Sequence, residues 1–124
     1  MGIVWARWGT LAMFLAVGLG AFGSHALRGK ISEYSMDIYK TAVLYHVVHA
    51  QGLLILAWFS SISNNPKTEW VGVLLILGIT LFCGSLYLLA VTGQKWLGAI
   101  TPFGGICFLL AWLTFFKILW QHSI

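Results

Sequence analysis

Carboxylates are the scarcest chemistry in this chain. Glu33, Asp37 and Glu69 are the only acidic residues among 124, and charged residues of both signs make up 8% of the whole, against roughly a quarter in an average soluble domain. All three carboxylates lie at the edges of apolar blocks, so no pair is placed for general acid–base work. Ser85 sits in no GxSxG elbow, and no glycine loop of the phosphate-binding type occurs. The sequence therefore names no catalytic residue and reads as a non-enzyme. Cysteine is scarce as well: Cys83 and Cys107 fall inside apolar blocks, which speaks against a secreted disulfide framework and for two small buried residues. With no HExxH helix and no Cys/His ligand set, no metal site and no cofactor is assigned. The seven basic residues stand singly at block edges rather than in runs interleaved with aromatics. That removes nucleic acid as a partner and makes the cations interfacial anchors.

What fills the chain is hydrocarbon. Sixty per cent of it is hydrophobic, more than a water-soluble fold of this size can hide. The apolar residues form four blocks, each near the roughly 20 residues that cross a bilayer core as a helix. The fold class is accordingly all-α: a polytopic membrane protein, a four-transmembrane-helix bundle, in one integral domain over residues 1–124 with helices at about 4–27, 33–62, 69–91 and 97–120. Residues 1–7 followed by 11–17 have the charge and apolarity of a signal peptide, but the apolar stretch from Val4 to Leu27 is long for a signal core, and it is kept as the first helix. Trp5, Trp8, Trp70, Trp96 and Trp120 lie near block ends, where an aromatic belt would sit. Four spans place both termini on one side, and the near-even count of cations leans toward a cytoplasmic side for the first and third loops.

Small residues mark the helix contacts. Ala12, Ala16, Gly20 and Ser24 recur every four residues along the first helix and form one close-packing stripe. Gly84 in the third helix and Gly104 and Gly105 in the fourth are further contact positions. Gly23-Ser24 and Gly84-Ser85 stand half a chain apart on spans of like direction, as duplicated hairpins would place them. Ser32 is read as a helix cap and Gly29 as a positive-φ turn residue.

Polarity inside the blocks collects toward the first and third loops. His25, Tyr45, His46, His49, Ser85, Tyr87 and Thr101 all lie in that leaflet, whereas the opposite ends of the spans are almost without polar residues. At 1.5 Å per residue, His46 is about 7 Å and His49 about 12 Å into the apolar part of the second helix. Spaced three apart, the two should face one way, and His25 could join them around a single inter-helix space lined by Ser85, Tyr87 and Thr101. Gln51 lies roughly 200° around from His49 and should meet a different helix or a second subunit.

Gly20-Ala21-Phe22-Gly23-Ser24-His25-Ala26-Leu27, Tyr45-His46-Val47-Val48-His49, Phe82-Cys83-Gly84-Ser85-Leu86-Tyr87, Thr92-Gly93 and Thr101-Pro102-Phe103-Gly104-Gly105 together resemble the YgdD-like membrane family, a domain of unknown function that includes animal transmembrane protein 256. The resemblance covers nearly the whole chain in order; a common form of the first segment has Ala where this chain has Ser24. It implies a four-span protein of the bacterial inner membrane and brings no settled activity. The expectation that follows is a non-enzymatic accessory, assembly or interaction subunit of the cell inner membrane, with the lipid bilayer and a homo-oligomer or larger membrane complex as partners. Two alternatives stand beside it: a histidine-dependent carrier or channel for protons or a small solute, and a redox protein with haem held between His25 and a histidine of the second helix.

Overall fold

The computed structural model describes residues 2–122. Among these, four helices are long and apolar enough to cross a membrane: α1 (Gly2–Leu27), α2 (Glu33–Ser63), α3 (Thr68–Thr92) and α4 (Lys95–Gln121). No strand occurs among the described residues.

The helix ends follow local chemistry. Ser32 caps α2, its hydroxyl accepting from the Ser35 backbone N–H at 3.1 Å, and Glu33 adds a negative charge at the positive end of the dipole. Gly29, at φ 79°, turns the chain between α1 and α2. Asn64 ends α2 in the left-handed region at φ 51°, and Pro66 then bars further helix. Gly93 closes α3 at φ 72°, donating its N–H to the Leu89 carbonyl at 2.8 Å.

Two interruptions were not expected from periodicity. Gly23–Leu27 at the end of α1 and Ile79–Cys83 within α3 are π turns, and α4 opens with a 3-10 turn over Lys95–Ala99 before its α-helical part begins at Thr101. Each π turn carries one extra residue and rotates everything beyond it relative to a straight helix.

The central pair is α2 and α3; α1 lies along α2, and α4 along α3. Leu53, Leu56, Val71, Leu75, Phe108 and Ala111 anchor the main core toward the terminal end, and Leu27, Tyr39 and Ala90 form a smaller one toward the first and third loops. Glycines let the spans close. A Cβ on Gly104 would stand 2.2 Å from the Phe82 backbone nitrogen, and one on Gly78 would lie 2.3 Å from the Phe108 ring. Both are therefore required for α3 and α4 to touch.

The packing stripe of α1 holds in part. Ala16 is fully buried and Gly20 meets Val43 at ordinary contact distance, but Ser24 is exposed; the residue against α2 is Gly23, where a Cβ would run into the Tyr39 ring. Spacing supplies the reason: Gly2, Gly9, Ala16 and Gly23 recur every seven residues and are all buried, and Ser24 lies roughly 80° around the helix from Ala16. Gly84 is a correction as well: a Cβ there would meet nothing within 4 Å. A Cβ on Gly105 would make only an ordinary contact with Phe82. The two Gly-Ser pairs are thus unlike, one tight inside a π turn and the other beside open space just after one. Trp5 also departs from the belt: it is 4% exposed, lies against α3 where a Gly72 Cβ would be 2.5 Å from its ring, and donates its indole N–H to Glu69 Oε1 at 3.2 Å. Trp8, Trp70, Trp96 and Trp120 are exposed.

Candidate functional site

The polar residues of the loop-one and loop-three leaflet do not form one cluster. They form separate couples, each tying two spans. His46 is buried and its Nδ1 lies 2.9 Å from the Tyr87 hydroxyl of α3; the ring also faces the Ala12 backbone carbonyl of α1. Tyr87 stands edge-on to Tyr39 with centroids 5.1 Å apart. The Tyr39 hydroxyl in turn donates to the Leu19 carbonyl, one turn before the Gly23–Leu27 π turn.

His49 faces elsewhere. Its ring stacks on Phe108 of α4, centroids 3.5 Å apart and planes 13° off parallel. Its Nδ1 is 2.7 Å from the Tyr45 carbonyl, and its Nε2 is 3.0 Å from the Trp112 indole nitrogen. A carbonyl only accepts and an indole N–H only donates. The two neighbours together therefore require a neutral ring with the proton on Nδ1, and they leave no ring nitrogen free for a ligand. Tyr45 contributes its backbone, and its half-exposed ring stacks parallel to His49 at 6.0 Å and tilts against Phe82 at 4.6 Å.

Ser85 and Thr101 meet across α3 and α4 at 2.6 Å, and Ser85 Oγ is also 3.0 Å from the Phe82 carbonyl. Each hydroxyl has one proton, so the shortest consistent relay runs from Thr101 to Ser85 and from Ser85 to Phe82. A carbonyl within the second π turn is thereby satisfied.

His25 is not brought into the group. It is exposed on the π turn of α1, between buried Gly23 and Leu27; nine residues on from buried Ala16 it lies roughly 180° around the helix, away from α2. The expectation that His46 and His49 share one space is also corrected. Three residues along a helix differ by roughly 60° in direction, and here that difference sends one ring to α3 and the other to α4.

Each histidine borders its own cleft. The first, about 300 Å³, opens between α1 and α3, with His46 and Leu53 at its base and Ile79, Thr80, Cys83, Gly84 and Tyr87 along the π-turn side. Toward the termini α1 and α3 meet through Trp5 and Gly72. The second, about 540 Å³, lies between α2 and α4 over Phe82, with His49 and Trp112 on its walls. Among the described residues, no group of three or more His, Cys, Asp or Glu could hold a metal ion.

Sequence reasoning missed several partners. Trp112 is the tryptophan farthest from any block end, and a mid-span indole N–H needs an acceptor; that signal was present. The opposite end is also less bare than expected, since Ser60 and Thr68 are fully buried and paired at 3.2 Å across α2 and α3.

These features define a small all-α membrane protein whose spans are joined by side-chain hydrogen bonds. The chain belongs to the family described as "Protein of unknown function (DUF423)", which matches residues 19–105. It is 46% identical over 105 residues to a UPF0382 membrane protein of Staphylococcus epidermidis, covering 85% of both chains. It is 45% identical over 106 residues to the UPF0382 membrane protein YwdK of Bacillus subtilis, covering 85% of this chain and 86% of that one. No solved structure matches it. The matched stretch contains His25, Tyr45, His46, His49, Ser85, Tyr87 and Thr101, and ends before Trp112.

Proposed function

We propose that this protein is a non-enzymatic interaction or assembly subunit of the cell inner membrane, in the same group as the YgdD-like proteins and animal transmembrane protein 256. One observation carries the reading: among the described residues, no buried side-chain nitrogen or oxygen lacks a hydrogen-bond partner. The interior polar groups bond to one another and fix which helix meets which. Meanwhile large apolar side chains such as Phe14, Leu109 and Trp120 face outward on every span. The test is extraction of the full chain in mild detergent or native nanodiscs, followed by native mass measurement. A complex with itself or a co-purifying protein is expected; a lone monomer in gentle lipid conditions overturns the reading.

A second reading is favoured by the cleft between α1 and α3. It is open to the bilayer, lies beside a π turn, and has the His46–Tyr87 couple at its base; π turns of this kind frequently sit at functional sites. In this reading the histidine-dependent carrier rests on His46 alone. It predicts a pH-dependent flux in proteoliposomes that His46→Ala abolishes with folding retained, and absence of any flux removes it. The haem reading is not carried forward, because exposed His25 forms no facing pair with His46 or His49.

A further inference from the structure

The outward face of α2 carries Leu44, Val48, Gln51, Ile55, Trp58 and Ile62, spaced alternately four and three residues apart. All six are exposed, the apolar five between 43% and 64%. This is the seam spacing by which two helices supercoil left-handedly. Its central member is a carboxamide. Counting 1.5 Å per residue from Thr41 and from Ile62, Gln51 is about 15 Å from either end of the apolar stretch, at the middle of a core about 30 Å thick. No hydrogen bond joins its side chain to any described residue. A glutamine side chain is too short to reach water from that depth, and an amide left unpaired in hydrocarbon is strongly disfavoured.

We infer that this ridge is the interface with a second copy of the chain, in which the Gln51 amides of the two copies bond to each other at the bilayer centre. The inference rests on the reading of the protein as an interaction subunit and names its partner. Symmetry selects a copy over an unrelated helix. Two copies inserted the same way are related by a two-fold axis along the membrane normal, so every residue of α2 meets its counterpart at its own depth. Gln51 then faces Gln51. A carboxamide carries both donor and acceptor, so the pair is reciprocal and each side satisfies the other. The surroundings allow close approach: one groove runs beside the ridge at Gly20, Val43 and Leu44, and another on its far side at Val48 and Gly105. A ridge between two grooves seats a second ridge without moving either bundle.

The test uses the full chain in native membranes in a Cys107→Ser background. Val48→Cys and Ile55→Cys, above and below the amide on the ridge, should each form a disulfide-linked dimer on mild oxidation. Phe14→Cys on α1 and Leu110→Cys on α4, both more exposed than Val48 and lining neither groove, should not. Gln51→Leu should weaken self-association roughly ten-fold in nanodisc dilution with an unchanged melting profile, since the exposed Gln51 side chain makes no hydrogen bond to any described residue of its own chain; Gln51→Asn should retain most of it. Cross-linking that favours the α1 or α4 positions, or dimerisation indifferent to Gln51→Leu, overturns the inference. A complex with a different protein and no self-cross-link also overturns it while leaving the interaction reading standing, and a lone monomer overturns both.

Discussion

The Trp112–His49 hydrogen bond joins α4 to α2, two spans whose backbones otherwise stay apart, and its worth can be measured. His49→Phe keeps a flat ring against Phe108, where the native imidazole stacks at 3.5 Å, but removes both nitrogens. The indole N–H then points at carbon. Interhelical hydrogen bonds in membranes average about 0.6 kcal/mol and reach about 1.7, and an orphaned donor adds about 1–3 kcal/mol where nothing replaces the lost partner. Trp112 is only 38% exposed, and what it is exposed to is lipid, which offers no acceptor. His49→Phe should therefore cost about 1–3 kcal/mol. Trp112→Phe leaves Nε2 without its donor and should cost about 1–2 kcal/mol. Because one bond is common to both losses, the double variant should cost less than their sum by about 0.6–1.7 kcal/mol. Reversible detergent-induced unfolding in mixed micelles, followed by circular dichroism so that loss of an indole does not alter the probe, gives all four corners of the cycle. His25→Phe, on an exposed turn, serves as the control and should stay within about 0.5 kcal/mol of the parent. Additivity of the two substitutions to within about 0.3 kcal/mol would refute the reasoning.

Nitrogen-15 NMR of the protein in nanodiscs at neutral pH should find His49 neutral and protonated at Nδ1; the Nε2–H tautomer or a charged ring would contradict the partners assigned to it. Gly104→Ala forces a Cβ to within 2.2 Å of the Phe82 backbone and should destabilise by about 1–3 kcal/mol, whereas Gly84→Ala, with open space around it, should change stability by no more than about 0.5 kcal/mol; equal effects would mean that α3 and α4 do not meet as described. Gly72→Ala should push Trp5 from its seat beside Glu69, seen as a changed Trp5 emission in a chain whose other tryptophans are replaced by Phe. An unmoved spectrum would count against the wedge.

Four spans were legible because the evidence for them is additive: block length, the rarity of charge and the turn residues between blocks all agree. The π turns were not, since each differs from an α-helix by one residue and leaves no compositional trace. Their partners lie far away in sequence: Tyr39 for the Leu19 carbonyl, and Thr101 through Ser85 for that of Phe82. Ser24 and His25 were misplaced for another reason: the buried line of α1 is Gly2, Gly9, Ala16 and Gly23, seven residues apart, and the four-residue stripe drifts around the helix by roughly 40° per step. For His46 and His49, spacing fixed their relative direction to within a helical face, but which neighbour stands 60° away depends on how three other helices are arranged.

The pairing of spans has a common logic. Lipid tails are as apolar as the side chains between helices, so burial alone barely distinguishes one helix partner from another. Polar side chains can make that distinction. Tyr39–Leu19 ties α1 to α2, Trp5–Glu69 ties α1 to α3, His46–Tyr87 and Ser60–Thr68 tie α2 to α3, His49–Trp112 ties α2 to α4, and Ser85–Thr101 ties α3 to α4. Of the possible pairs of spans, only α1 with α4 has no such bond among the described residues. A chain that matches its intramembrane polar groups so completely within itself gives weight to the one carboxamide it leaves facing outward at mid-depth. Gln51 follows the same rule as the others if its partner span belongs to another copy, and replacing it should then loosen the assembly while leaving the fold of each chain intact.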